Sequence, residues 1–184
     1  MSNANVIARI GDASVASVSN PGAGTQVVFQ QPNGNAASVT LPGDGRFDGK
    51  PFVLRASGRI TTGVSMQVNV GLQQGGSTTA ASNATLANPV ATVNGSVSFV
   101  IEAMLIADST SQQLSGIVYG NIGGTAIAQA AVTPVSNFNP NAKTTGSVPQ
   151  PPASIGNPFV VTVTFAVGNA GNAAVLSDFS LEAL

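Results

Sequence analysis

The sequence contains no cysteine, no histidine and no tryptophan, and its single tyrosine is Tyr119. Without cysteine there is no disulfide, no thiolate metal ligand and no cysteine nucleophile. Without histidine the usual general base at neutral pH is missing, and a serine nucleophile has no imidazole to activate it. We therefore expect a protein that is not an enzyme, with no catalytic residue, no cofactor and no metal site.

Charged side chains are also scarce, at 7% of 184 residues with a formal net charge of −1, whereas typical soluble domains contain roughly 25%. Phosphate binding needs several cations, so we expect no nucleic-acid partner. Apolar residues make up 43% of the chain, which is enough to fold. Because a nearly uncharged surface gives little repulsion between copies, we expect a homo-oligomer or a component of an assembly.

Long apolar runs are missing too, since no segment approaches the roughly 20 apolar residues of a membrane helix. The first residues, MSNANVIARIGD, lack the basic region and apolar stretch of a secretory signal. We expect no membrane partner and no export signal.

What the sequence does contain is alternation with a period of two, which predicts strands with one buried and one exposed face. Residues 52–60 and 64–72 alternate in this way, and only Thr61, Thr62 and Gly63 separate them, which predicts a hairpin.

A second hairpin is predicted where residues 97–107 and 114–119 flank the turn-rich segment DSTSQQ. The alanine-rich residues 126–133 fit a strand or a short helix, and we favour a strand.

A final pair of strands is predicted at residues 159–167 and 174–184, around the turn GNAGNA. Alternation there predicts that Val175, Phe179 and Leu181 face the core.

These patterns predict an all-β, jelly-roll-like β-sandwich of about eight strands. Two segments are too rich in turn residues or proline for a sheet interior, residues 75–96 and 134–158. We expect both to be long surface loops that make contacts.

The first 36 residues differ in character, with short strand-like runs at 5–10 and 25–30. We predict an extended N-terminal arm over residues 1–36 and a sandwich domain over 37–184. The same runs also fit edge strands of that sandwich, and the sequence favours neither interpretation.

One dense group of charges, DGRFDGK, occupies residues 44–50. Asp44 and Asp48 have the oxygen ligands that calcium prefers, but their spacing matches no complete calcium loop, so an ion-paired turn is favoured. Alternation places Arg55 and Arg59 on the same outer strand face, where they could meet an acidic partner surface.

Two segments, FVIEAMLIADSTSQQLSGIVYGNI at 99–122 and FVVTVTFAVGNAGNAAVLSDFSLEAL at 159–184, combine alternating strands, low charge and Asn and Gly turns. In these features the C-terminal two thirds of the chain resembles the jelly-roll sandwiches of tailed-bacteriophage capsid decoration, or cement, proteins. The resemblance implies a virion structural protein, made in the host cytoplasm, that sits on the outer capsid surface as a homotrimer. Its partner would be the major capsid protein, whose subunit contacts it would stabilise.

The alternative is a glycan- or receptor-binding sandwich module of a phage tail or head fibre. Sugar faces are commonly held against Trp and Tyr, and only Tyr119 is available here. Most phenylalanines occupy predicted core positions, which are Phe52, Phe99, Phe159, Phe165 and Phe179.

Overall fold

A computed structural model describes residues 5–15, 23–136, 138 and 156–184, which form an all-β protein. The strands are β1 (Asn5–Val15), β2 (Gln26–Val28), β3 (Ser38–Pro42), β4 (Pro51–Gln74), β5 (Ala84–Ala87), β6 (Val90–Asp108), β7 (Gln113–Ile122), β8 (Thr125–Ala131), β9 (Val135–Ser136), β10 (Gly156–Phe165) and β11 (Ala173–Ala183). A short 3-10 helix covers Ala80–Ser82. No helix in the described ranges is long and apolar enough to cross a membrane. The predicted all-β class is confirmed, with eleven strands where about eight were expected.

Strand β4, which is 24 residues long, organises the antiparallel sheet. Its first half pairs with β11, and its second half, from Val68 to Gln74, pairs with β10. One layer therefore has the order β1-β11-β4-β6-β7-β8, whereas β2 and β3 pair with β10 next to the second half of β4. Because β4 belongs to both layers, the strands form one continuous sheet that folds over itself.

The core lies between the two layers, where aromatic rings from each meet. The Phe29 ring, next to β2, lies 6.3 Å from the Phe99 ring on β6, and the Phe159 ring on β10 lies 6.0 Å from the Phe52 ring on β4. Such face-to-face contact defines a β-sandwich. All eight phenylalanines are buried, namely Phe29, Phe47, Phe52, Phe99, Phe138, Phe159, Phe165 and Phe179.

The hairpin predicted at residues 61–63 is wrong, because β4 continues through these residues as one strand. Strand β6 runs beside both halves of β4, and two extra residues of β4 are accommodated as a bulge between the pairs Thr62–Gly95 and Met66–Val93. Thr62 Oγ1 accepts a hydrogen bond of 3.1 Å from the Gly95 N–H, which fixes the bulge. Tandem threonines favour extended backbone, so a bulge within a strand suits them better than a tight turn.

Strands β10 and β11 occupy the predicted positions, but they pair with different halves of β4 and not with each other. A register shift lies between Leu176 and Asp178 of β11. The extra residue reverses the alternation, so that Leu176, Phe179 and Leu181 are buried whereas Val175 is 43% exposed. The predicted inward orientation of Val175 is therefore wrong, and those of Phe179 and Leu181 are confirmed.

The predicted hairpin of residues 97–107 and 114–119 is confirmed as β6 and β7, which pair from Phe99–Ile122 to Asp108–Gln113. Residues 125–131 form strand β8, as favoured.

The predicted loop at residues 75–96 is shorter than expected. It contains the 3-10 helix and strand β5, and β6 begins within it at Val90. In the other predicted loop, β9 occupies Val135–Ser136 and β10 begins at Gly156, and residues 137 and 139–155 lie outside the described part of the chain.

Within the first 36 residues, β1 pairs with β11 of the same molecule, from Asn5–Ala183 to Val15–Ala174. Strand β2 pairs with β10. The interpretation of residues 5–10 and 25–30 as strands of the sandwich itself predicts such pairings within one molecule. The domain boundary between residues 36 and 37 stays a prediction, and residues 1–4 and 16–22 lie outside the described ranges.

Candidate protein-binding face

The outward side of the first layer brings together side chains from five neighbouring strands, and we call it the outer face. Cross-strand pairing places its members side by side. They are Val6 and Arg9 of β1, Val175, Asp178, Ser180 and Glu182 of β11, Val53, Arg55, Ser57 and Arg59 of β4, Val100, Glu102, Met104 and Ile106 of β6, and Ile117 and Tyr119 of β7.

A row of polar residues crosses the whole outer face. Arg9 is paired with Ser180, Ser180 with Arg55, Arg55 with Glu102, and Glu102 with Tyr119. Because partners directly opposite in antiparallel strands have neighbouring Cβ atoms, these five side chains form a continuous polar belt.

Arg55 is the centre of the belt, because its guanidinium joins two carboxylates. Its Nη1 donates to both oxygens of Glu182 at 3.2 Å. Its Nη2 donates to Oε2 of Glu102 at 3.2 Å, and its Nε lies 3.2 Å from Oε1 of the same carboxylate. Glu182 also accepts a bond of 3.0 Å from the Ser180 hydroxyl. The planar guanidinium suits this arrangement of two fixed carboxylates better than an ammonium would.

The two ends of the belt are hydrogen-bonded as well. The Tyr119 hydroxyl donates to Glu102 Oε2 at 2.8 Å, and Arg9 Nε lies 2.6 Å from Asp178 Oδ1. Arg55 thus lies in a hydrogen-bonded network with Glu102, Glu182, Tyr119 and Ser180, and Arg9 forms an ion pair with Asp178. Such a network holds its side chains in fixed positions.

Electrostatics of the belt favour the ionised form of Glu102. Burial raises the pKa of its carboxyl, but hydrogen bonds from Arg55 and Tyr119 and the charge of Arg55 lower it by more, so its pKa lies below the ordinary value of 4.5. The bond to Glu102 raises the pKa of Tyr119, since it holds the phenolic proton. The hydrogen bond that Arg55 donates to Glu102 raises the pKa of Arg55. At neutral pH Glu102 and Arg55 are therefore both ionised and Tyr119 is protonated.

Apolar side chains flank the belt on both sides. Within the described residues ten large apolar side chains are exposed, and six of them belong to the outer face. These six are Val6 at 56%, Val100 at 40%, Met104 at 38%, Ile106 at 43%, Tyr119 at 37% and Val175 at 43%. Exposed apolar side chains grouped with polar ones on one face are typical of an interaction site.

The two aspartates considered for calcium accept hydrogen bonds from different partners. Asp44 accepts hydrogen bonds from Arg46 Nε, at 2.8 Å for Oδ2, and the bond to Arg46 lowers the pKa of Asp44. Asp48 accepts a bond of 2.8 Å from the backbone N–H of Ser109 in the β6–β7 turn. No cluster of three acidic side chains that could hold a metal ion occurs in the part of the chain that the structure describes. The favoured ion-paired turn agrees with this geometry at Asp44.

The structure places Arg55 and Arg59 on the same outer strand face, as the alternation predicts. Sequence reasoning missed that Arg9, Glu102, Glu182 and Tyr119 join Arg55. The alternation within each strand places these residues on its outward side. Only the order of the strands in the sheet brings them next to one another.

Comparisons with known proteins add distant structural likenesses. No protein-family model and no curated protein sequence matches the chain. A legume lectin-like domain from Entamoeba histolytica is 8% identical, with a TM-score of 0.41 over 96% of this chain and 89% of that chain. The CBM2 module of the evolved Dit of Lactobacillus casei BL23 phage J-1 is 12% identical, with a TM-score of 0.37 over 94% and 96% of the two chains.

The lectin UEA-II complexed with galactose is 13% identical, with a TM-score of 0.36 over 96% of this chain and 92% of that chain. All three TM-scores lie below 0.5. The assignment as an all-β sandwich therefore rests on the strand pairing and the core described above.

Proposed function

We propose that this chain is a non-catalytic virion structural protein, a capsid decoration or cement protein, that binds the outer capsid surface through its outer face. One observation carries the proposal: Tyr119, Arg55, Met104 and Ile106 lie on neighbouring strands of the outer face with their side chains partly exposed. Tyrosine, arginine and methionine are the residue types enriched in protein interfaces, and arginine and tyrosine dominate their binding energy. Charged residues make up only 7% of the whole chain, so a face that holds three arginines and three carboxylates is chemically distinct.

Binding of this kind accounts for stabilisation without chemistry. A protein that binds the assembled shell and not the free subunit shifts the equilibrium towards the shell. If the chain acts as a homotrimer, three outer faces engaged together give an avidity far above that of one face. The low net charge of −1 favours such self-association.

Co-sedimentation with decoration-free capsid shells of the encoding phage tests the proposal. The V100D variant places a carboxylate in the middle of the outer face, and we expect it to lose shell binding by roughly tenfold or more. V64D is the matched control, because Val64 is also an exposed valine, at 43% against 40%, but lies in the β4 bulge between the pairs Thr62–Gly95 and Met66–Val93, neither of which belongs to the outer face. Equal binding by both variants, or no binding by the native protein, would contradict the proposal.

A glycan-binding module is the second candidate, and Tyr119 beside Glu102 is the observation that favours it. Sugar faces are commonly held against tyrosine rings, which combine an apolar face with a polar handle. Against it, all eight phenylalanines are buried and the Tyr119 hydroxyl is already bonded to Glu102. A specific glycan-array signal that Y119A abolishes, together with no shell binding, would favour this candidate.

A further inference from the structure

The outer face holds three of the four arginines of the chain, Arg9, Arg55 and Arg59. Three carboxylates, Asp178, Glu102 and Glu182, lie on the same face. Counted by formal charge, the face is neutral, but the two signs differ in how far they reach into solvent.

In each ion pair the cation is more exposed than the anion. The Arg9 side chain is 65% exposed and that of its partner Asp178 is 25% exposed. The Arg55 side chain is 42% exposed, against 21% for Glu102 and 10% for Glu182. A molecule approaching the outer face therefore meets guanidinium groups before it meets carboxylates.

Arg59 differs from the other two arginines. It is exposed, with Val175 and Ser98 as its cross-strand neighbours, neither of which is charged. Among the described residues it has no hydrogen-bond or ion-pair partner, whereas every carboxylate of the outer face already has a donor. No carboxylate of the outer face is therefore paired with Arg59.

We infer that the surface which docks on the outer face is an acidic protein surface, with a carboxylate that pairs with Arg59 and apolar groups that cover Val100, Met104 and Ile106. The inference rests on the proposed function and specifies the chemistry of the partner. Arginine forms bidentate bonds to carboxylates, and complementary charge sets the orientation and the rate of association. A nucleic acid fits less well, because phosphate binding draws on several free cations and Arg9 and Arg55 are already paired with carboxylates.

The test compares R59E with K50E in shell co-sedimentation between low and high salt. Lys50 is exposed and directly precedes β4, so it lies at one end of the first half of that strand, whereas Arg59 lies at the other end. Both substitutions change the net charge by the same amount. We expect R59E to weaken binding roughly tenfold and to flatten its salt dependence, with K50E close to the native protein.

A second measurement is carbodiimide cross-linking of R59K, which places an amine at this position. We expect an amide bond between position 59 and an aspartate or glutamate of the shell protein. If R59E binds shells as well as the native protein does, or if R59K gives no such cross-link, the inference of an acidic partner surface is wrong. The proposed capsid-binding function would not be affected by either result. Binding to duplex DNA that depends on Arg59 would overturn it in favour of phosphate. No shell binding by the native protein would remove both proposals.

Discussion

Tyr119 and Arg55 donate to the same oxygen, Oε2 of Glu102, at 2.8 and 3.2 Å. The carboxylate is thereby held between a phenol and a guanidinium that come from the strands on either side of β6. This shared acceptor links the only tyrosine of the chain to the centre of the polar belt. It also makes the outer face sensitive to the protonation of one group.

Removal of the Tyr119 hydroxyl should lower stability only where Glu102 is ionised. The hydroxyl lowers the pKa of Glu102 in the folded state, so its stabilising effect is present above the ordinary pKa of 4.5 and is lost as the pH falls through the folded-state value. We expect Y119F to be about 0.5 kcal/mol less stable than the native protein at pH 7, because the group is partly exposed. Urea unfolding between pH 2.5 and 7 measures the difference, which should shrink at the acid end.

E102Q supplies the control for this dependence. In that background the acceptor no longer titrates, so the difference made by Y119F should be independent of pH. A difference that persists unchanged at pH 2.5 in the native background would show that Tyr119 acts through packing instead.

Alternation along the strands sufficed to assign most of the core. Phe52, Leu54, Ala56 and Ile60 are buried as the pattern predicts, because a strand with one wet face repeats every two residues. The prediction from alternation is wrong at Val175, because one extra residue near Ser177 exchanges the inward and outward positions of β11. A bulge is a property of two paired strands, and a single strand carries no trace of it.

The polar belt was beyond sequence reasoning for a related reason. Arg9 and Asp178 are 169 positions apart, and Arg55 and Glu182 are 127 apart. Their contacts depend on β11 lying between β1 and β4, and periodicity says nothing about which strands are neighbours. The outward phase of Arg55 and Arg59 was predictable, but the partners of Arg55 were not.

Asn172 should contribute more to the free energy of unfolding than turn residues usually do. It is fully buried, its Oδ1 accepts from the Gly63 N–H at 3.3 Å, and its Nδ2 donates to the Val167 carbonyl at 2.8 Å. N172A leaves both backbone groups without these partners, and we expect a loss of about 2 kcal/mol. Asn169 is the control, since its Oδ1 accepts from the exposed Gly171 N–H of the same turn. Chemical denaturation should give N169A a much smaller loss, and equal losses would contradict the role of Asn172.

Gly58 should tolerate no side chain, although its backbone conformation allows one. A Cβ there would overlap the backbone carbonyl of Val175 and would lie 2.7 Å from Cε1 of Phe99. We expect G58A to destabilise the protein by about 2 kcal/mol or more, since the backbone of β11 has to move. In G76A the nearest atom to the new Cβ is Pro158 Cγ at 3.2 Å, so thermal unfolding should show a smaller change. A Tm of G58A within a degree of the native value would rule out the close approach of β4 and β11.

Phe159 should be the residue on which contact between the two layers depends most directly. Its ring is fully buried and lies 6.0 Å from the ring of Phe52 and 6.0 Å from that of Phe138. We expect F159A to cost about 3–5 kcal/mol of unfolding free energy and F159L clearly less, because leucine fills most of the cavity. A double-mutant cycle of F159L with F52L, read by urea denaturation, should give a coupling of about 0.5–1.5 kcal/mol. Additive losses would mean that the two rings do not interact across the sandwich.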